Sequence, residues 1–295
     1  MTSLQKAVTI EPSGKRKKPK LYQLFFRNKK GLIGFVLLAA IVFLAVFAPW
    51  LAPYKPTEMH SKDRFSAPTW NYWLGTDFYG RDILSRVFHA FRISLYIAFA
   101  AVIFAVLVGS TLGIMAAYFK RLDAWIMRSM DVMFAFPVLL LAITIVVILG
   151  AGSLSAILAI GIVYTPIFAR VARGPTLAVK EENFVEAAHA MGAGSGRVIL
   201  RHILPNVATP IFVQSTVELA TAILFESALS FLGLGSKPPD ASLGLMISQG
   251  KDFLEISPWA TVFPGVAIAL IVLSFNLLGD AMQEVLDPRL RQKEG

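Results

Sequence analysis

Hydrophobic residues in this chain are gathered into long uninterrupted runs instead of being spaced at a helical or strand period. From Leu32 to Trp50 the sequence LIGFVLLAAIVFLAVFAPW has no charged, hydroxyl or amide side chain. Comparable runs occupy 94–119, 126–149, 154–172, 207–232 and 259–281. A helix crossing a hydrocarbon core of about 30 Å needs roughly 20 mostly apolar residues, so each run is long enough to span. Six runs of this length exceed what the core of a 295-residue globule accommodates. The pattern predicts an all-α integral membrane protein with six transmembrane helices.

A secretory signal would have an apolar stretch of about 7–15 residues before a small-x-small cleavage site. The first run is longer, follows a basic leader of 30 residues and precedes Ala52-Pro53-Tyr54-Lys55-Pro56. It reads as a retained anchor. Within the leader, Leu21, Leu24 and Phe25 share a face among Lys20, Arg27, Lys29 and Lys30, the pattern of a short interfacial helix. The expected organisation is a leader (1–30), an anchor (31–52), an outer loop (53–93), a five-helix core (94–282) and a tail (283–295). The core contains a cytoplasmic connection at 173–206.

Polar positions distinguish the spans. The fifth carries Gln214, Ser215, Thr216, Glu218, Thr221, Glu226, Ser227 and Ser230. The third carries Arg128 and Asp131, three residues apart and so able to meet on one helix face. An acidic residue at a span centre costs about 2.5–3.5 kcal/mol, against about 0.3–0.6 returned by each Leu, Ile, Phe or Val. Such residues are tolerated only facing protein or water. Two readings of Asp131, Gln214, Glu218 and Glu226 stay open: polar groups paired at helix interfaces, or the lining of a translocation path. The first span, without polar groups, is expected at the periphery.

Composition agrees: 56% of residues are hydrophobic and 16% charged, with a mean hydropathy of +0.63. Those values argue against a soluble enzyme and exclude a disordered chain. The formal charge of +9 is informative because it has a side. With the N-terminus inside, 20 of the 28 Lys and Arg residues fall on the cytoplasmic face, which predicts an N-in, C-in topology. The cluster Lys15-Arg16-Lys17-Lys18-Pro19-Lys20 then serves to fix topology, and no nucleic-acid partner is needed. The absence of cysteine excludes disulfides, thiolate metal sites and cysteine nucleophiles.

The longest cytoplasmic connection reads EENFVEAAHAMGAGSGRVILRHILPN from Glu181 to Asn206. Phe184, Val185, Ala188 and Met191 are helically spaced, and Gly192 can terminate that helix in the left-handed conformation. Ser195 is placed to cap a second short helix carrying Val198, Ile199 and Ile203, which Pro205 is expected to end. A helix–turn–helix with exposed apolar side chains, held between two spans, is a docking knob for a partner protein.

Glu186-Ala187-Ala188, Gly192 and Ile203-Leu204-Pro205 together resemble the EAA loop of ABC-importer permeases. Three further stretches are similar to the C-type permease subunit of dipeptide and oligopeptide importers. They are Leu74-Gly75-Thr76-Asp77 with Gly80-Arg81-Asp82, then Leu229–Gly235 with Pro238-Pro239, and Leu273–Asp280 with Leu286-Asp287-Pro288-Arg289. The resemblance covers residues 21 to 291. It implies a bacterial or archaeal cytoplasmic (inner) membrane protein that pairs with a paralogous permease. Two ATPase subunits would dock on the cytoplasmic loops and an external binding protein would deliver the substrate. It assigns Glu186, Ala187, Ala188, Met191, Gly192, Ile203, Leu204 and Pro205 to ATPase coupling, with Glu186 as the tether. Asp77, Gly80, Arg81 and Asp82 become an outer-loop motif near the binding-protein dock, or an inert solvated loop.

No sequence matches G-x-x-x-x-G-K-[ST], so ATP is expected to bind elsewhere. His60, His89, His189 and His202 form no metal-ligand spacing, no G-x-S-x-G elbow accompanies the serines, and no cofactor is implied. The chain is therefore read as a permease subunit and not an enzyme. The rival is an ion-coupled secondary transporter using Asp131, Glu218 or Glu226. The resemblance extends to permeases for peptides, nickel chelates, glutathione and oligosaccharides, with peptides the favoured substrate.

Overall fold

A computed structural model describes residues 28–286. The expected interfacial helix and the tail beyond Leu286 lie outside the described residues. Regular structure within them is helical, apart from one isolated antiparallel bridge between Thr76 and Asp82. Among the described residues, five helices are long and apolar enough to cross a membrane, and a bent pair makes a sixth crossing if counted as one.

Helix α1 (Lys29–Val46) starts where the Asn28 side chain accepts the backbone N–H groups of Lys30 and Gly31 at 3.0 and 3.3 Å. Its buried residues are Gly31, Gly34, Ile41 and Ala45, while Val36, Phe43 and Val46 are exposed. This places α1 at the edge of the bundle, as its lack of polar groups predicts. A short α2 (Ala48–Leu51) follows.

Helix α3 (Ile83–Tyr118) is 36 residues long, about 54 Å at 1.5 Å per residue. It begins eleven residues before the expected boundary of 94. Residues 83–93 are too polar to read as a span, yet Asp82 caps them, accepting the Ser85 N–H at 2.8 Å. Helical structure therefore begins at Ile83, inside the segment 53–93 expected as the outer loop.

The third expected span, 126–149, is broken. Helix α4 (Lys120–Phe134) and α5 (Val138–Leu149) meet at a bend of 95°. Pro137 lacks an N–H and disfavours helical geometry in the residue before it, which ends α4. Asp131 does not turn to Arg128 either; it accepts Arg170 Nη2 of the next helix at 2.6 Å.

Helix α6 (Ser153–Lys180) runs through Pro166 and Pro175, overshooting the expected end at 172. Its packing on α3 is the most extensive between helices among the described residues. A Cβ added at Gly109 would meet the Thr165 carbonyl and Phe168, and one at Gly113 would meet the Ala169 carbonyl. The two backbones therefore touch, in the small-residue mode of membrane helices. Helices α7 (Asn183–Ala190) and α8 (Ser195–Val198) and a π-helical turn (Ile199–Ile203) lead into α9 (Leu204–Phe231). Beyond it, α10 (Leu243–Gly250) packs against α9 and α11 (Trp259–Leu286), and α11 covers α1 and α9.

Candidate functional site

The segment between α6 and α9 is tied to the end of α3. Lys180, the last residue of α6, donates from Nζ to the carbonyls of Ala117 and Tyr118 at 3.2 and 3.5 Å. That places a cation on the C-terminal carbonyls of α3, where the helix dipole favours it. The Tyr118 hydroxyl lies 3.1 Å from His189 Nε2, tying α7 to the same corner.

Two inward side chains, Val185 and Ala188, seat α7 on the bundle, and Val198 and Ile203 seat the next turns. Gly192 has φ +81°, its N–H bonds the His189 carbonyl at 2.9 Å, and Ala193 N–H bonds that of Ala188 at 3.0 Å. These are the two bonds of a Schellman stop, which needs a left-handed residue. The sequence-expected turn is therefore in place. Ser195 does not cap α8; Gly194 stands at that position and makes no side-chain bond. Pro205 does not end a helix either. The Leu204 N–H bonds the Ile199 carbonyl, so the π-helical turn merges with α9, and Pro205, which has no N–H for the ladder, follows directly on that wider turn.

What remains outward is apolar at the tip. Met191 is 82% exposed and Leu200 67%, with Phe184 and Leu204 partly exposed. Glu186, Ala187 and Pro205 are also exposed, whereas Ala188 and Ile203 face inward. Glu186 joins Tyr118, Lys180, Glu181 and His189 in an open groove beside α7. The segment thus exposes apolar Phe184, Met191 and Leu200 alongside polar Glu186, His189 and Arg201. Tyr118 and Lys180 hold this segment in place and were not anticipated, while Val185 and Val198, expected among its exposed apolar residues, face inward instead. Lys180 was detectable as a cation at a helix end, but its carbonyl partners on α3 were not.

On the opposite side of the bundle, Asp77 organises a buried cluster. Its Oδ1 accepts the N–H groups of Tyr79 (2.8 Å) and Arg81 (3.0 Å), and its Oδ2 accepts Arg81 Nε at 2.7 Å. Arg86 Nε lies 3.8 Å from the same oxygen. Both guanidiniums donate to Gln249 Oε1, at 3.0 and 3.2 Å, so the loop is locked onto the end of α10. Gly80, at φ +77°, packs against His60 backbone. Burial pushes the Asp82 carboxyl above its ordinary range, against the hydrogen bonds from Ser85. Burial and the Asp63 carboxylate raise the Tyr72 phenol to about 12. Asp77, Gly80, Arg81 and Asp82 are all buried, so they form a structural clasp and not a solvated loop. Arg86 and Gln249 complete it.

The polar residues of α9 separate into two groups. Glu218 accepts Gln214 Nε2 at 2.8 Å, with Tyr164 of α6 and Thr221 alongside. Glu226 has no exposed surface; Ser230 Oγ donates to it at 2.8 Å and Ser227 Oγ lies at 3.5 Å. Ser94 of α3 and Ser242 at the start of α10 face the same carboxylate, although the Ser94 hydroxyl falls outside bonding geometry. Among the described residues no three His, Asp or Glu side chains converge as a metal site requires.

Residues 109–292 match the family profile described as binding-protein-dependent transport system inner membrane component. Residues 22–68 match the N-terminal TM domain of oligopeptide transport permease C. The chain is 42% identical over 266 residues to the dipeptide transport system permease protein DppC of Alkalihalophilus pseudofirmus, covering 90% of this chain and 88% of that one. It is 39% identical over 300 residues to the di/tripeptide transport system permease protein DppC of Pseudomonas aeruginosa, covering 99% of each. It is also 39% identical to the glutathione transport system permease protein GsiD of Escherichia coli, covering 92% of this chain and 90% of that one. In fold it resembles a chain of the inward-facing MetNI methionine ABC transporter, with a TM-score of 0.53 at 17% identity, over 68% of this chain and 97% of that chain.

Proposed function

The chain belongs to the family of binding-protein-dependent transport system inner membrane components, and from that premise we propose that it is one half of the membrane channel of an ATP-driven peptide importer, worked by separate ATPase subunits. The observation that carries this reading is the knob at 183–203. Buried Val185, Ala188, Val198 and Ile203 fix it to the ends of α6 and α9, while Met191, Leu200 and Glu186 face outward. The relatives named for dipeptides, di/tripeptides and glutathione all carry peptide-like cargo, and short peptides are the substrate class assigned here.

The remaining parts follow from the same premise. A paralogous permease completes the channel, two ATPases receive the knobs, and an external binding protein delivers cargo. Both termini lie in the cytoplasm, on the side holding 20 of the 28 Lys and Arg residues. The core is the set α3–α11, and α1 is a peripheral anchor. Glu186 tethers the loop to the ATPase. Glu218 and Gln214 belong to the path side of α9, whereas Glu226 is an interhelical fastener.

Mechanically, nucleotide closes the ATPases and displaces the knob. Because α6 leaves the knob as a single helix that touches α3 backbone to backbone, the displacement passes to the pair as a unit. Two packed arrangements, inward- and outward-open, are then biased by nucleotide. The chain has no phosphate-binding loop of its own, so hydrolysis belongs to the ATPases. Proteoliposomes holding both permeases test the proposal. Uptake of a labelled dipeptide is expected only with ATPase subunits, ATP and binding protein together. Robust uptake by this chain alone under an ion gradient would overturn it.

A further inference from the structure

The outer loop carries two tryptophans that the clasp does not use. Trp70 is 94% exposed and Trp73 64%. Neither is there by looseness of the chain. The Thr69 N–H donates to the Tyr72 carbonyl at 2.8 Å, the Tyr72 N–H to Thr69 Oγ1 at 3.2 Å, and Trp73 Nε1 to the Trp70 carbonyl at 3.1 Å. Tyr72 between them is buried and its hydroxyl bonds Asp63 at 3.0 Å. A tight turn thus holds two indoles outward on a buried tyrosine pin.

Their position is set by the end of the first span. Phe43, Phe47 and Trp50 form a ladder of ring contacts at 4.7 and 5.7 Å along the exposed face of α1 and α2, and Trp50 is itself 76% exposed. Four residues on, the Tyr54 ring lies 5.3 Å from the Tyr72 ring. The Tyr54 N–H is fixed to Ser85 Oγ at the start of α3. The turn bearing Trp70 and Trp73 is therefore clamped beside the point where the lipid-facing ladder of α1 ends. Indoles are enriched at that depth because the ring suits the headgroup boundary and the N–H finds polar partners.

We propose that the Trp70–Trp73 turn is a lipid-binding element that rests in the outer headgroup layer, extending the aromatic belt begun by Phe47 and Trp50. It anchors the outer loop, and with it the Asp77–Arg81–Arg86 clasp, at a fixed height on the membrane. The inference rests on α1 spanning the bilayer.

The natural chain has no cysteine, so single spin labels report depth directly. Nitroxides at Asn71→Cys, Lys62→Cys and Val36→Cys are compared in the assembled importer in phospholipid nanodiscs, using oxygen and a soluble nickel chelate as collision partners. The label at 71 is expected to exclude the nickel chelate several-fold better than that at 62, and to admit oxygen less than that at 36. In a Trp70→Ser/Trp73→Ser background the label at 71 should become as water-accessible as that at 62. Equal accessibility at 71 and 62 in the otherwise native protein would overturn the proposal. So would protection at 71 that develops only when the binding protein is added, which would make the turn a protein dock. A water-exposed label at 36 would instead overturn the spanning reading of α1 on which the proposal stands.

Discussion

Glu226 is enclosed completely, and what surrounds its carboxylate is a set of serine hydroxyls from three helices. A buried acceptor without donors is costly, and so are donors without their acceptor. Glu226→Ala is expected to destabilise the protein by about 1–3 kcal/mol, by stranding those hydroxyls. Glu226→Gln, which keeps an acceptor oxygen, should lose less. Thermal unfolding of the purified complex in detergent measures both, and equal melting temperatures for the alanine variant and the parent would contradict the fastener role. Gly192 poses a different kind of constraint. A Cβ there meets nothing, so the restriction is conformational and not steric. With φ at +81°, Gly192→Val costs about 1–2 kcal/mol in the left-handed region and should open the turn. Capture of the ATPase by the variant is expected to collapse while the protein stays in the membrane fraction.

Among the elements, the α3–α6 pair depends on having no side chain at Gly109 and Gly113. The spacing Gly109-x-x-x-Gly113 is a small-residue face readable from the sequence, though its partner, the Thr165–Ala169 backbone of α6, is not. Gly113→Leu must push the Ala169 carbonyl away, and overpacking of this kind costs about 1–3 kcal/mol. A lower melting temperature is expected, with slowed transport because α6 no longer moves as one body with α3. An unchanged melting temperature and transport rate would contradict the close-approach role. The α4–α5 break makes the complementary point. Hydropathy sums over 126–149 and is blind to direction, so a run interrupted by Ala135-Phe136-Pro137 reads as one span. The bend of 95° follows from Pro137 locally, while the hold of Arg170 on Asp131 and of Arg173 on Asp123 (2.6 Å) comes from the neighbouring helix.

For the whole molecule, six apolar runs and the asymmetry of basic charge were legible without coordinates, and the described residues carry the runs as five long helices and one bent pair. The topology they imply has a direct check. Cysteines introduced at Ser3 and Lys293 should react with an impermeant maleimide only after the membrane is opened, and one at Ser61 should react in intact cells. Labelling of Ser3→Cys from outside would reverse the orientation. The Gly192 turn was also legible, because a glycine after an apolar helical spacing is a local property of a chain, whereas the Ser195 cap and the Pro205 stop expected beside it are absent. By itself, then, the sequence determined that the chain is helical and apolar enough to span, and roughly which stretches are the apolar ones. Those are consequences of hydrophobicity and backbone stereochemistry acting over a few residues at a time. Only the tertiary structure decided that the charges of the outer motif turn inward on Gln249, that Asp131 looks to α6, and that Glu226 is sealed among serines. The Gln249 and Arg170 contacts, and the approach of Ser94 and Ser242 to Glu226, join residues far apart in the chain, brought together by which helices pack, and no local pattern carries them.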